Sequence, residues 1–117
     1  NDFMLNCDFR WICEAVSNIV KNCIEHTDGG YVRISAERNS MYSEITIRDN
    51  GCGISPKDLP HIFERFYKAR NSSPSSVGIG LSLAKSIVEK TGGYITAHSK
   101  LGVGSTFKLR FLNVRPR

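Results

Sequence analysis

Residues 31–53 read YVRISAERNSMYSEITIRDNGCG, and the order of features in this stretch decides how the chain is built. Tyr31-Val32-Arg33-Ile34-Ser35-Ala36 has the β-branched and aromatic content of a strand, and Glu44-Ile45-Thr46-Ile47-Arg48-Asp49 alternates polar with apolar residues. Arg38-Asn39-Ser40 between them reads as a hairpin connection, and Asp49-Asn50-Gly51-Cys52-Gly53 breaks the second strand.

Upstream, Asp8 is placed to cap a helix that begins near Phe9 and stops near Thr27, before the turn signal Asp28-Gly29-Gly30. Trp11, Ile12, Ala15, Val16, Ile19, Val20, Cys23 and Ile24 recur along it at helical spacing and form a wide apolar stripe. Downstream, Ser55-Pro56-Lys57-Asp58 reads as a short helix start with Pro56 at the first helical position, and residues 59–67 as an aromatic, partly helical segment. Residues 69–80 are rich in Ser, Asn, Pro and Gly and read as a mobile surface loop. Residues 81–90 form a second amphipathic pattern with Leu83, Ala84, Ile87 and Val88 inward, ended by Thr91-Gly92-Gly93. Residues 94–99 and 105–112 read as two further strands, and 113–117 as a frayed tail. Helix, strands, loop, helix, strands is not an alternating βαβ chain. It predicts one α+β domain over residues 1–117, a two-layer sandwich whose mixed, mostly antiparallel sheet is covered on one face by about three helices.

Composition agrees with a single globular domain: 117 residues, 40% hydrophobic, 23% charged, and no run approaching a membrane span. No basic region followed by an apolar one opens the chain, and the missing initial Met reads as an excised fragment. Cys7, Cys13, Cys23 and Cys52 contain no Cys-x-x-Cys pair and no zinc-like spacing to a His, so they read as free thiols of a reducing compartment. The net charge of +5 is scattered rather than run together, which fits a nucleotide site and solvated surface and gives no reason to expect nucleic acid as a partner.

Three constellations can carry chemistry. Asn18 and Asn22 stand four residues apart on the first helix, about 6 Å along its axis, on one face. That face is either simply polar or a metal-and-phosphate face, because an amide carbonyl suits a hard cation such as Mg²⁺. Asp49, followed by two glycines, is either a plain turn or a carboxylate that accepts a hydrogen bond from a ligand amine, with Gly51 and Gly53 letting the backbone approach a flat ring. Gly78-Ile79-Gly80-Leu81 leads into a helix whose free amides suit phosphate, although it matches neither a Walker loop nor a dinucleotide fingerprint.

In order and spacing these segments resemble the catalytic ATPase domain of sensor histidine kinases, within the gyrase, heat-shock chaperone, histidine kinase and MutL superfamily. Asn18-Ile19-Val20-Lys21-Asn22-Cys23-Ile24-Glu25-His26-Thr27 is similar to that family's asparagine box, Asp49-Asn50-Gly51-Cys52-Gly53-Ile54 to its first glycine box, and Phe63-Glu64-Arg65-Phe66-Tyr67 to its phenylalanine box. Gly78-Ile79-Gly80-Leu81 and Gly102-Val103-Gly104-Ser105-Thr106-Phe107 are similar to its second and third glycine segments. The resemblance implies the Bergerat-type ATP-binding fold, with ATP and Mg²⁺ as cofactors. It implies Asn22 as the Mg²⁺ ligand, Asn18 and Lys21 beside the phosphates, and Asp49 on the adenine amine, with Gly51, Gly53, Ile54 and Thr106 around the nucleotide. It further implies a lid over residues 55–77 based on Phe63 and Phe66, with Tyr67, Lys68 and Arg70 reaching the nucleotide, and backbone amides of Gly78, Gly80 and Leu81 on the phosphates. Two residues depart from the pattern: Glu25 where many members carry Lys or Arg, and Ser82 where they often carry Gly.

The superfamily's hydrolases place a general-base Glu one turn before the metal-binding Asn. Here that residue is Asn18, whose amide cannot take a proton from water. The resemblance therefore implies phosphoryl transfer, with Asn18 and Lys68 as catalytic residues. It implies a dimerisation helix domain of the same kinase as phosphoacceptor, a response regulator beyond it, and a cytoplasmic domain of a membrane-anchored, homodimeric sensor kinase, the isolated domain being a monomer. His26, His61 and His98 lack the flanking pattern of an acceptor and read as packing or surface residues. A gyrase-like or mismatch-repair hydrolase and a Ser/Thr kinase of the anti-sigma-factor type remain the alternatives on the same fold.

Overall fold

The computed structural model describes residues 4–5, 9–27, 29–67 and 80–114. Strand β1 (Met4–Leu5) is followed by helix α1 (Phe9–Glu25), β2 (Val32–Arg38), β3 (Tyr42–Asp49), a 3₁₀ turn (Leu59–His61), α2 (Gly80–Lys90), β4 (Tyr94–Lys100) and β5 (Gly104–Val114). The strands make one sheet in the order β1-β5-β3-β2, with β4 also paired to β5. Every pairing is antiparallel, where the sequence suggested a mixed sheet. The reason is topological: β1, β3 and β4 run one way and β2 and β5 the other, and each hydrogen-bonded neighbour pair takes one strand from each set. Among the described residues the cover is two α-helices and one 3₁₀ turn, not three full helices.

The β2–β3 hairpin turns where the sequence placed it. Asn39 Oδ1 accepts the N–H groups of Met41 (2.8 Å) and Tyr42 (2.9 Å), which stands in for a backbone turn. Past the end of α2 at Lys90, Gly92 takes a φ of 86°, and Gly92 and Gly93 donate back to the carbonyls of Glu89 and Val88.

Alternation along the central strands separates two faces. Ile47 and Asp49 of β3 and Ser105, Phe107, Leu109 and Phe111 of β5 are buried towards the helices. There they meet Ile12, Ala15, Ile19 and Cys23 of α1 and Leu81, Ala84, Ile87 and Val88 of α2. The α1 stripe is narrower than the sequence implied: Trp11 and Ile24, each one residue off the buried line, are exposed. On α2, Leu83 is 43% exposed and Leu81 only 8%. The helix begins at Gly80 and its buried line runs 81, 84, 87 and 88, which leaves Leu83 about a third of a turn outside it. Leu81→Ala should therefore cost about 2 kcal/mol and Leu83→Ala no more than about 0.5 kcal/mol, read from urea unfolding midpoints.

Candidate functional site

The helix α1 carries Asn18 and Asn22 one turn apart, both half-buried, with Lys21 exposed beside them. Asn18 Nδ2 is buried and has no hydrogen-bond partner. An unpaired buried donor costs about 1–3 kcal/mol, so an acceptor oxygen supplied from outside the chain would be held there at a gain. The start of α2 comes to the same spot. A methyl group built on Gly80 would stand 3.9 Å from the Asn18 carbonyl oxygen and 4.0 Å from its Cβ. The first N–H groups of a helix have no acceptor within it, and α2 begins at Gly80, next to Asn18. The side chain of Leu81 is in the core.

The other wall is the end of β3. Asp49 is buried; its Oδ1 accepts the Gly51 N–H at 2.8 Å, which fixes the turn that follows. Beneath it, burial pushes the Cys23 thiol well above its ordinary range, and the adjacent Asp49 carboxylate raises it further. Cys23 therefore stays a protonated S–H donor towards Asp49 as well as a small apolar residue of the α1 stripe. The donor role could have been found by noting that Cys23 lies on the buried line of α1.

Gly51 and Gly53 are required by the fold itself. A Cβ on Gly51 would fall 2.1 Å from the His26 carbonyl oxygen, and one on Gly53 2.2 Å from that of Lys100. These glycines let the turn press against the end of α1 and against the β4–β5 hairpin. Backbone hydrogen bonds lock both contacts: Cys52 N–H to His26 O at 3.1 Å and Gly102 N–H to Cys52 O at 2.8 Å. Ile54 is buried, and its N–H donates to Ser99 Oγ at 2.7 Å.

Thr106 is not brought to this pocket. It pairs with Arg48 and His98 on the sheet face away from the helices. Its neighbour Ser105, 6% exposed and directly opposite Asp49, points inward instead. Ser99 Oγ donates to the Gly104 carbonyl (2.9 Å), so Ser105 Oγ donates to Ser99 Oγ (2.9 Å). Ser105 and Ser99 are thus the residues that the sequence reading missed. The alternation of Phe107, Leu109 and Phe111 carried the signal.

In the lid segment, Ser55–Asp58 is a hydrogen-bonded turn rather than a helix start: Ser55 Oγ accepts the Asp58 N–H at 3.1 Å and donates to Asp58 Oδ2 at 3.0 Å. Ile62 is buried and Phe63 stands edge-on to Phe107, ring centres 6.4 Å apart, so these two anchor the segment. Phe66 does not: it is 63% exposed with a φ of 66°. Tyr67 donates its hydroxyl to Asp58 and stacks on His61. Lys68, Arg70 and Gly78 lie outside the described residues, as do Asp8 and most of residues 69–80. Glu25 Oε1 rests 3.6 Å from His26 Nε2.

The unpartnered Asn18 amide, the start of α2 and the buried Asp49 carboxylate thus lie on the helix-covered side of the sheet in a two-layer α+β sandwich. The chain belongs to the family described as histidine kinase-, DNA gyrase B- and HSP90-like ATPases, whose model matches residues 7–115. It is 39% identical over 99 residues to the sensor histidine kinase RppB of Synechocystis sp., covering 81% of this chain and 22% of that protein. It is 38% identical over 111 residues to the heme sensor protein HssS of Staphylococcus saprophyticus, covering 94% of this chain and 24% of that protein. The chain thus spans about a quarter of the length of these relatives. Among solved structures, the mycobacterial sensor histidine kinase MprB superposes with a TM-score of 0.85 at 25% identity, over 98% of this chain and 80% of that one. The catalytic domain of histidine kinase ThkA does so with 0.76 at 25% identity, over 91% and 69%.

Proposed function

We propose that the chain binds Mg²⁺–ATP between α1 and α2 and donates the γ-phosphoryl group to a histidine on a dimerisation helix domain outside residues 1–117, from which a response regulator is charged. The observation that carries this reading is the buried, unpartnered Asn18 amide beside the N-terminus of α2. The donor set fits the ligand. Asn18 Nδ2 and the first amides of α2 suit phosphate oxygens, the Asp49 carboxylate suits the adenine amine, and the Asn22 carbonyl suits one position on Mg²⁺. A Mg²⁺ ion at such a site would be bound chiefly through nucleotide phosphates and water. Mg²⁺ there would offset the charge of the phosphate oxygens.

Asn18 favours transfer over hydrolysis, because its amide orients phosphate but cannot deprotonate water. Lys68 and Arg70 of the lid are proposed to approach the γ-phosphate, with Lys21 adding positive charge at the rim; Glu25, beside His26, adds none. An intact protein would be a homodimeric sensor kinase held at a membrane, with this domain on the cytoplasmic side. No helix of the described residues is long and apolar enough to cross a membrane.

Calorimetry with a non-hydrolysable ATP analogue tests the site. Native protein should bind in the micromolar range with Mg²⁺, and Asn22→Ala should lose about tenfold in affinity in the presence of Mg²⁺ and little in its absence. Equal affinity of the two proteins with Mg²⁺ would remove Asn22 from the metal site. Adding an acceptor helix domain should then give acid-labile phosphohistidine on that domain, with no free phosphate released by the chain alone.

A further inference from the structure

The helices cover one face of the sheet; the other face carries a charge pattern that the nucleotide site does not use. Arg33 of β2 and Arg48 of β3 are direct cross-strand partners. The row continues through Thr106 and His98, and Lys108 stands one position further along β5 on the same side. Like charges placed directly opposite each other on one face cost stability, so this arrangement needs a reason. Among the described residues no carboxylate lies within ion-pair distance of Arg33, Arg48 or Lys108. The two acidic residues of this face sit at its far end, where Glu44 is held by Arg110 (2.7 Å) and Glu37 pairs with Glu44 in register. Alongside them the face turns apolar: Leu112 and Tyr94 are both exposed, and Tyr42 is the register partner of Leu112.

We infer that this outer sheet face docks on an anionic lipid surface, its arginines and lysine on the headgroups and its Leu112–Tyr94 end in the interface. Basic residues near such a surface each add attraction, and a neighbouring aromatic and aliphatic patch adds apolar contact at headgroup depth. Nucleic acid is the other polyanion that could meet a basic four-stranded face. Base stacking uses aromatic rings set among the basic residues; here the Tyr42 ring is covered by the Arg110 guanidinium at 4.0 Å, and the exposed Tyr94 stands at the end of the face away from Arg33 and Arg48. The geometry also keeps the two activities apart, because Asn18, Asp49 and the start of α2 lie on the opposite side of the sheet.

Co-sedimentation of the 117-residue chain with vesicles tests this. The chain should bind vesicles of mixed phosphatidylglycerol and phosphatidylcholine, bind phosphatidylcholine alone far more weakly, and lose affinity as salt rises. The Arg33→Glu/Arg48→Glu variant should lose at least about tenfold in binding to the anionic vesicles, and the neutral Arg33→Gln/Arg48→Gln variant an intermediate amount. Both should keep native affinity for the ATP analogue, which shows that they are folded. Anionic-vesicle binding unchanged in both variants, no preference over neutral vesicles, or tighter binding to duplex DNA than to vesicles at equal phosphate concentration would each overturn the inference.

Discussion

Asp49→Asn is expected to weaken ATP binding by roughly thirty- to a hundredfold, about 2–3 kcal/mol, while lowering stability by only about 1 kcal/mol. The two effects separate because the carboxylate has two jobs. Towards the protein, Oδ1 accepts the Gly51 N–H, and an asparagine carbonyl of the same shape keeps that bond. Towards the ligand, the proposed partner is an exocyclic amine, and the asparagine NH₂ would set donor against donor. The Cys23 thiol, held protonated by burial and by Asp49, would likewise face a donor, which accounts for the modest loss of stability. The same logic reverses for a 6-oxo purine, whose exocyclic carbonyl oxygen accepts what the amide now donates, so preference for ATP over ITP should narrow or invert. Calorimetric titration of both nucleotides and a thermal melt check this. ATP affinity within threefold of native, with the ATP preference intact, would show that Asp49 does not read the base.

How far the sequence carried the fold can be judged from α2 and from β5. The presence and type of both elements followed from their periodicity, since eleven residues with apolar positions three and four apart can only bury as a helix. Which apolar residues end up inside was less legible, because a stripe can rotate by one residue without changing its period. Leu83 and Leu81 are chemically equivalent, and only the packing of α2 against α1 and the sheet distinguishes them. Trp11 and Ile24 repeat the point on α1, where a buried line four residues deep leaves its flanks in water.

The candidate site divides in the same way. Asn18, Asn22 and Asp49 were visible because their spacing is local: two amides one helical turn apart and a carboxylate at a strand end. Ser105 was not visible, because its importance comes from standing opposite Asp49 across two strands that are far apart in sequence. Parity in β5 would have chosen it over Thr106, since Phe107, Leu109 and Phe111 fix the inward face and a period of two admits no neighbour. The glycines of residues 51–53 suggest room for a ligand ring, and the structure adds a requirement of the fold. The contact that excludes a side chain is with the protein's own backbone, at His26 and Lys100, and sequence alone does not say which chain segment presses on a glycine.

Gly104 takes that argument to its largest consequence: Gly104→Ala should destabilise the domain by about 3–5 kcal/mol, a large part of the roughly 5–15 kcal/mol typical of a domain, and should abolish ATP binding under conditions where native protein is saturated. Two terms combine. The φ of 139° lies where a side chain is strained, at about 1–3 kcal/mol. A methyl group there would also sit 2.1 Å from the Asp49 carbonyl oxygen and 2.9 Å from the Asn50 Cα, an overlap with backbone that rotamer changes cannot relieve. The strand end that carries Asp49 must therefore move, and with it the Gly51 turn that His26 and Lys100 hold in place. Gly102 is the internal control. Its φ is 79°, but nothing lies within 4 Å of its missing methyl group, so Gly102→Ala should cost only about 1 kcal/mol and leave nucleotide affinity intact. Urea unfolding and ATP titration of the two variants side by side separate backbone strain from backbone collision. Similar losses in both would mean that positive φ alone sets the cost and that Gly104 does not buttress Asp49.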